Sequence, residues 1–351
     1  MDQPVRYPAA ELERFAAGVL RVVGLPANDA SLVAQLMISA DLRGADGHGI
    51  FRLPQYVRRI RAGGVNVRPE IRVLEDNPST AIVDGDNGMG HLVMSRAAEV
   101  AIEKAERTGV AWVGVRMSNH AGPAALYAEM PLARDMIGLY LAVASANHMP
   151  PWGGVESILG TNPLAIAIPA GEEPPVVLDM ATTVAAYGKV KTYALQNRTM
   201  PVGWMTNRRG EPITDPARAG EGFLLPIGEH KGSGLAIVIG LLAGTLNGAL
   251  FGRACVDFNA DDRSVTNTGH VMLALKVANF TPLEQFKRDV DAAIREIRDS
   301  ERMEGVERIW LPGEQSYYRK RDRRANGVPL SPALHRTLND LATSLGLDQT
   351  L

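Results

Sequence analysis

The chain has 351 residues, more than one minimal core needs, and that length predicts about two domains. Hydrophobic residues at 46% and charged residues at 22% are ordinary globular proportions, and a formal net charge of −2 gives no electrostatic case for nucleic acid or an anionic membrane as partner. The single cysteine, Cys255, excludes an internal disulfide framework, fits a reducing cytoplasm, and reads as a buried small side chain.

The first residues include acids and no unbroken apolar run, so no signal peptide is expected. Residues 9–23 have amphipathic helical spacing and stop at Gly24; Asn28 or Asp29 can cap a second helix running to Arg43. Next comes Asp46-Gly-His-Gly-Ile-Phe-Arg-Leu-Pro-Gln-Tyr56, in which His48, Arg52 and Tyr56 recur four residues apart. A helix over 50–62 puts all three near one face. His48 can exchange a proton near neutral pH, Arg52 can grip a carboxylate with two hydrogen bonds, and Tyr56 can donate another. The stretch reads as a site for a small organic acid beside an atom that gains or loses a proton. The competing reading is a solvated helix face. Gly47 and Gly49 let the backbone approach a ligand, although a turn needs them as well.

Strands are expected at 71–74, 80–84, 111–115, 136–144, 164–168, 176–179 and 267–277, with helices at 92–107, 184–197, 232–247, 282–298 and 331–344. Two strands run into polar loops, Ser118-Asn-His-Ala-Gly122 and Asn147-His-Met-Pro-Pro-Trp-Gly-Gly154, which is how a sheet assembles a ligand site. The apolar stretch Gly234–Leu250 reads as a buried core helix, too interrupted to span a membrane. The run Arg319-Lys-Arg-Asp-Arg-Arg324 reads as a solvated loop. The strand-rich middle lies between helical ends, so the ends are expected to pack as one discontinuous domain.

The common fingerprints are missing. No G-x-G-x-x-G follows an early strand, no phosphate-loop motif is present, and Gly228-Glu-His-Lys-Gly-Ser-Gly234 is only loosely phosphate-loop-like, so a Rossmann domain is not expected. Without H-E-x-x-H, paired cysteines or an EF-hand loop, no metal site is expected. No G-x-S-x-G elbow is found.

Seven segments nevertheless occur in a telling order: Gly47–Tyr56, Ser118–Gly122, Pro151-Trp-Gly-Gly154, Gly160-Thr-Asn-Pro-Leu-Ala165, Leu178-Asp-Met-Ala-Thr182, Leu225-Pro-Ile-Gly228 with His230-Lys-Gly232, and Leu311-Pro-Gly-Glu314. Together they resemble the malate/L-lactate dehydrogenase family of the non-Rossmann type, with its ureidoglycolate, diketogulonate, sulfolactate and piperideine-2-carboxylate relatives. The resemblance covers most of the chain. It implies an α/β (α+β) fold in which a mixed, largely antiparallel sheet binds NAD or NADP, and a homodimer with sites near the subunit interface. It also implies a cofactor-binding sheet domain at 76–279, and a substrate and dimerisation domain at 1–75 plus 280–351. The implied reaction is hydride transfer between the nicotinamide cofactor and a 2-hydroxy or 2-oxo acid. Reduction of a cyclic imine acid is the alternative, and a cofactor-dead acid binder a further one.

By the same resemblance His48 is the acid/base, Arg52 the carboxylate clamp with Tyr56 beside it, and Thr161 a further substrate or nicotinamide-side contact. His120 is similar to a family histidine assigned to catalysis or cofactor binding, and ranks second to His48, which has the clamp four residues away. Asn162, Asp179, Met180, Ala181, Thr182, Thr183, His230, Lys231, Gly313 and Glu314 are the implied cofactor contacts, and His148 is a candidate for substrate selection. Trp152 reads as packing, and His91, His270 and His335 match no site. The cofactor reading leans to NAD, with no residue located to decide it. Two departures stand out: Gly47 occupies the place of the family's usual Ser before the histidine, and Ala121 that of the usual Phe. Both suggest an enlarged or reshaped pocket; either the serine's proton relay is dispensable here, or Asp46, a water or a substrate group replaces it.

Overall fold

The computed structural model describes residues 4–347 and 351. The chain opens with helices α1 (Ala9–Val22) and α2 (Ala27–Arg43). Neither Asn28 nor Asp29 caps α2. Pro26 takes the cap position with no side-chain hydrogen bond, a place where its fixed φ suits a helix entry. The expected helix over 50–62 is shorter at its start: Asp46–His48 and Ile50–Arg52 are 3-10 turns, and α3 covers Leu53–Arg61. The break falls at Gly49. A Cβ there would collide with the carboxylate of Asp41, which accepts a hydrogen bond from Ile50 N at 2.8 Å.

The middle of the chain forms a seven-stranded sheet from β1 (Arg72–Val73), β2 (Thr80–Asp84), β3 (Val110–Ser118), β4 (Met136–Ala142), β5 (Leu164–Ile168), β6 (Val176–Met180) and β7 (Thr268–Lys276), in the order β1-β2-β3-β7-β4-β5-β6. Every neighbouring pair is antiparallel except β2 and β3. That parallel pair needs a crossover, and helix α4 (Gly90–Thr108) supplies it. Its small residues Ala97, Ala98, Ala101 and Ala105 are fully buried, in one apolar cluster with Val83, Val113 and Met272 of the sheet. One parallel pair is too few for a doubly wound nucleotide fold, as the missing fingerprint implied.

Helix α5 (Tyr187–Leu195) packs away from this sheet, its Val190 in a small core with Met205, Ile213 and Leu224, and helix α6 (His230–Ala243) follows. The reading of this apolar stretch as wholly buried is corrected. Ala236, Ile239 and Ala243 are buried, whereas Leu235, Val238 and Leu241 are exposed. One face of an apolar helix has met the sheet and the other has not. Among the described residues no helix is long and apolar enough to cross a membrane.

Helix α7 (Leu283–Asp299) is stapled to the loop between β5 and β6, where the Asp291 carboxylate accepts from the backbone N–H groups of Gly171, Glu172 and Glu173. The arginine-rich run, expected as a loop, is helical instead, within α8 (Glu314–Asn326). Arginine is a good helix former, and the charge run conceals one inward position. Arg323 is buried, donates to the carbonyl of Asp41 and pairs with Asp46. After α8, Val328–Leu330 pairs antiparallel with Val5–Tyr7, and α9 (Pro332–Ser344) closes the chain. Side chains from both ends share one core, Leu12, Phe15 and Met37 with Val328, Leu330 and Leu338.

Candidate active site

The 3-10 turns before α3 and the loop after β3 bring two imidazoles together. His48 Nδ1 lies 3.2 Å from His120 Nε2, and Tyr56 Oη lies 2.6 Å from His120 Nδ1. The rings of His48 and His120 are nearly parallel, at 8°. Tyr56, His120 and His48 therefore form one hydrogen-bonded chain. The loop bearing His120 is fixed from several sides. Asn119 donates to the carbonyl of Gly88 at 3.0 Å, and Thr266 Oγ1 donates to the carbonyl of Ser118 at 2.9 Å. Phe258 stacks on His120 with ring centres 5.0 Å apart.

Arg52 is held by its Nε, which donates to the carbonyl of Gly47 at 2.8 Å, and by Nη1, which donates to Gln55 Oε1 at 2.8 Å and Asn259 Oδ1 at 3.3 Å. Gln55 donates in turn to the carbonyl of Phe258. The guanidinium is thus aimed before any acid arrives. At Gly47 a Cβ would meet nothing within 4 Å, so a side chain has room there. The relay role considered for Asp46 does not fit the geometry, because its carboxylate is engaged by Arg323.

Burial sets the protonation states. It lowers His48 to about 4, with Arg52 adding to the effect, and it lowers His120 well below the usual imidazole range. His148 is likewise pushed down to about 4 by burial. Burial raises the Tyr56 hydroxyl, which stays protonated. At neutral pH the chain Tyr56–His120–His48 carries no charge, and Arg52 is the cation beside it.

Of the residues expected at the site, His48, Arg52, His120, Thr161 and His148 line one pocket. Tyr56 stands behind His120. Asp179 and Gly313 line a second pocket with Tyr317 and Lys320. The loop 121–125 serves both: Ala121 and Gly122 face the first pocket, Pro123 and Ala125 the second. Burial raises the Asp179 carboxyl to about 6, and it accepts from Ala125 N at 2.9 Å.

Other expected contacts lie in neither pocket. Asn162 is fully buried, accepting from Ala144 N at 3.0 Å and donating to the carbonyl of Ala236 at 2.7 Å. Thr182 Oγ1 donates to the carbonyl of Thr161, and Thr183 Oγ1 to that of Ala185, so both fasten the wall. Met180 and Ala181 follow at the half-buried end of β6. His230 and Lys231 are exposed at the start of α6. Glu314 is buried between Arg298 and Arg308. Trp152, expected to pack, is 51% exposed.

Sequence reasoning missed Tyr187, Phe258, Asn259 and His270, all of which line the first pocket. His270, assigned no site, lies 2.8 Å from Tyr140 Oη and 3.1 Å from Ser118 Oγ. A histidine inside a hydrophobic strand gives no local signal, and Asp257-Phe-Asn259 reads only as a turn.

A family model described as malate/L-lactate dehydrogenase matches residues 7–339. The chain belongs to this family. It is 39% identical over 351 residues to malate dehydrogenase of Pyrococcus abyssi, covering 98% of this chain and 96% of that one. It is 39% identical over 336 residues to L-sulfolactate dehydrogenase of Methanocaldococcus jannaschii, covering 96% of each. The solved structure of malate dehydrogenase from Pyrococcus horikoshii superposes with a TM-score of 0.91 at 36% identity, covering 100% of this chain and 98% of that one. As a member of the malate/L-lactate dehydrogenase family, the chain is an NAD(P)-dependent oxidoreductase acting on the CH–OH group of a small 2-hydroxy acid. The mixed, mostly antiparallel sheet expected from its sequence is the family's fold.

Proposed function

We propose that His48 moves the proton and Arg52 holds the carboxylate of the 2-hydroxy or 2-oxo acid, with His120 and Tyr56 behind them. The observation that carries this reading is the uncharged chain Tyr56–His120–His48 meeting a preset guanidinium in one pocket. If Tyr56 donates to His120 Nδ1, then His120 Nε2–H donates to His48 Nδ1, and the neutral His48 Nε2–H can orient a carbonyl oxygen; the proton that reduction needs comes from His48 as imidazolium, which returns to the neutral ring. If the tautomers shift together, His48 Nε2 is bare and can take the hydroxyl proton on oxidation. The low His48 pKa favours the bare base. Thr161 borders the same pocket as a substrate contact, and His148 shapes its far wall.

The second pocket fits the remainder of a dinucleotide. Gly313 has φ +82, and a Cβ there would press on the carbonyl of Val177 at 2.7 Å, so that loop lies close against β6. Asp179 offers a carboxylate to ribose hydroxyls, and Lys320 a cation to phosphate. When bound, the nicotinamide cofactor supplies or accepts the hydride. Asp179 supports NAD over NADP, since a carboxylate repels a 2′-phosphate. Met180, Ala181, Thr182, Thr183 and Asn162 hold the wall of the cofactor site; His230, Lys231 and Glu314 complete it.

The exposed face of α6, Leu235, Val238 and Leu241, fits a second copy of the chain, giving a homodimer. The shared core of the two chain ends supports a discontinuous substrate domain, 1–75 plus 280–351, beside a cofactor domain at 76–279, and the proposed dimer face on α6 falls in the latter instead of in the helical ends. Within that division the contacts of α7 favour allotting it to the sheet. A lone cysteine, its thiol pushed up to about 11 by burial, supports a cytoplasmic setting. The deciding experiment is a panel of 2-oxo acids and cyclic imine acids assayed with NADH and NADPH separately. Reduction of 2-oxo acids is the expected result; turnover confined to cyclic imines, or none at all, would overturn the reading.

A further inference from the structure

Arg52 has a cationic neighbour. Lys191, on α5, places Nζ 3.2 Å from Asn259 Oδ1, the same oxygen that accepts from Arg52 at 3.3 Å. Two cations therefore share one neutral carbonyl oxygen at the edge of the acid pocket. The Lys191 ammonium also sits 5.6 Å from the centre of the Tyr187 ring, and Tyr187 lines that pocket, stacked on His148 at 4.0 Å. Among the described residues no carboxylate lies within ion-pair distance of Lys191. The charges that act on it are those of Arg52, Asp257 and Arg58. Asp257 is partly committed, accepting from Asn259 N at 2.8 Å and Asn259 Nδ2 at 3.1 Å. Half-burial and the two arginines outweigh Asp257 and lower the lysine's proton affinity. An anion arriving here relieves that imbalance.

A monocarboxylic substrate offers one charge, which Arg52 takes, and leaves Lys191 with a neutral oxygen alone. We propose that Lys191 is a second anion clamp, and that the substrate is a 2-hydroxy acid carrying another anionic group, carboxylate or sulfonate, at the end remote from Arg52. This rests on the dehydrogenase reading above and narrows its substrate class. The cation also gives Asn259 a purpose: its amide oxygen holds both clamps in register before binding.

The test compares wild type, Lys191→Met and Lys191→Arg on 2-oxobutanoate, oxaloacetate and sulfopyruvate, three acids of similar size that differ in the distal group. Wild type is expected to favour at least one dianion over 2-oxobutanoate by about 30-fold or more in kcat/KM, the scale of a desolvated charge pair. Lys191→Met should lower the dianion-to-monoanion ratio at least about tenfold, mainly through KM, and Lys191→Arg should restore much of it. Whether oxaloacetate or sulfopyruvate loses more identifies the distal group. If wild type treats the three alike, or Lys191→Met lowers all three equally, the clamp is refuted while the dehydrogenase reading stands. If none is reduced with NADH or NADPH, that reading falls and the clamp falls with it.

Discussion

Neutral imidazoles are costly to charge where His48 and His120 lie, and this fixes how the reaction should respond to pH. His48 is lowered from the ordinary 6.5 to about 4 by burial, so the bare base persists well into acid. The acid limb of kcat/KM for hydroxy-acid oxidation is expected near pH 4 instead of 6.5. A limb at 6.5 would place the titrating base elsewhere. His48→Ala should reduce turnover by about 10²–10⁴ while NADH still binds, as read by fluorescence titration. Normal turnover in that variant would move the role to His120. Gly47→Ser fits without collision, so its effect is a clean reading of the missing hydroxyl. Unchanged activity on the native substrate would show that the hydroxyl has no part here. At this scale the sequence was informative where chemistry needs an uncommon residue, as at His48, Arg52 and His120. It was silent on Asn259 and Lys191, whose roles exist only once a distant turn and helix meet.

Elements hold the site from behind, and two of these supports make separate predictions. Arg323 on α8 grips Asp46 and the carbonyl of Asp41, next to the turn that carries His48. Arg323→Met is expected to cost on the order of ten- to a hundredfold in kcat/KM with all pocket residues intact, because small displacements of a proton donor are expensive. Equal kinetics in the variant would show that the turn holds itself. Asp291→Ala should instead act on stability alone. Losing three backbone hydrogen bonds to a carboxylate should lower the unfolding free energy by about 2 kcal/mol, measured in denaturant, with kinetics unchanged. The sheet strands were largely legible from alternating and apolar runs, with β2 and β5 matching residue for residue. Helix α8 was not, because a dense charge run hides the single arginine that faces inward. The pair Val5–Tyr7 and Val328–Leu330 was also invisible: each is three residues long, and its partner lies at the other end of the chain.

For the molecule as a whole, five histidines held below the ordinary imidazole range dominate acid stability, His91 and His270 buried and His48, His120 and His148 half-buried. His48 and His148 are lowered to about 4, His91 and His270 to about 3, and His120 further than the ordinary range. The unfolded chain therefore binds more protons than the folded one below 6.5, and stability falls as pH drops from 6.5 towards 4. Asp41 and Asp179 are raised and work in the opposite sense, but two carboxyls are outnumbered by five imidazoles. Melting temperatures measured from pH 7 to pH 4 should decline through this window, and a flat profile would contradict the burial of these rings. Val238→Asp, placed on the bare face of α6, should turn the proposed dimer into a monomer in sedimentation, whereas an unchanged mass would relocate the interface. The short strand pair joining the chain ends has a mechanical side. Val5 faces Leu330 and Tyr7 faces Val328, so both free ends leave from the Val5 side. Tension applied at the termini, once α9 has peeled away, would open these rungs one after another like a zipper, shielding the central sheet from load until the last has parted.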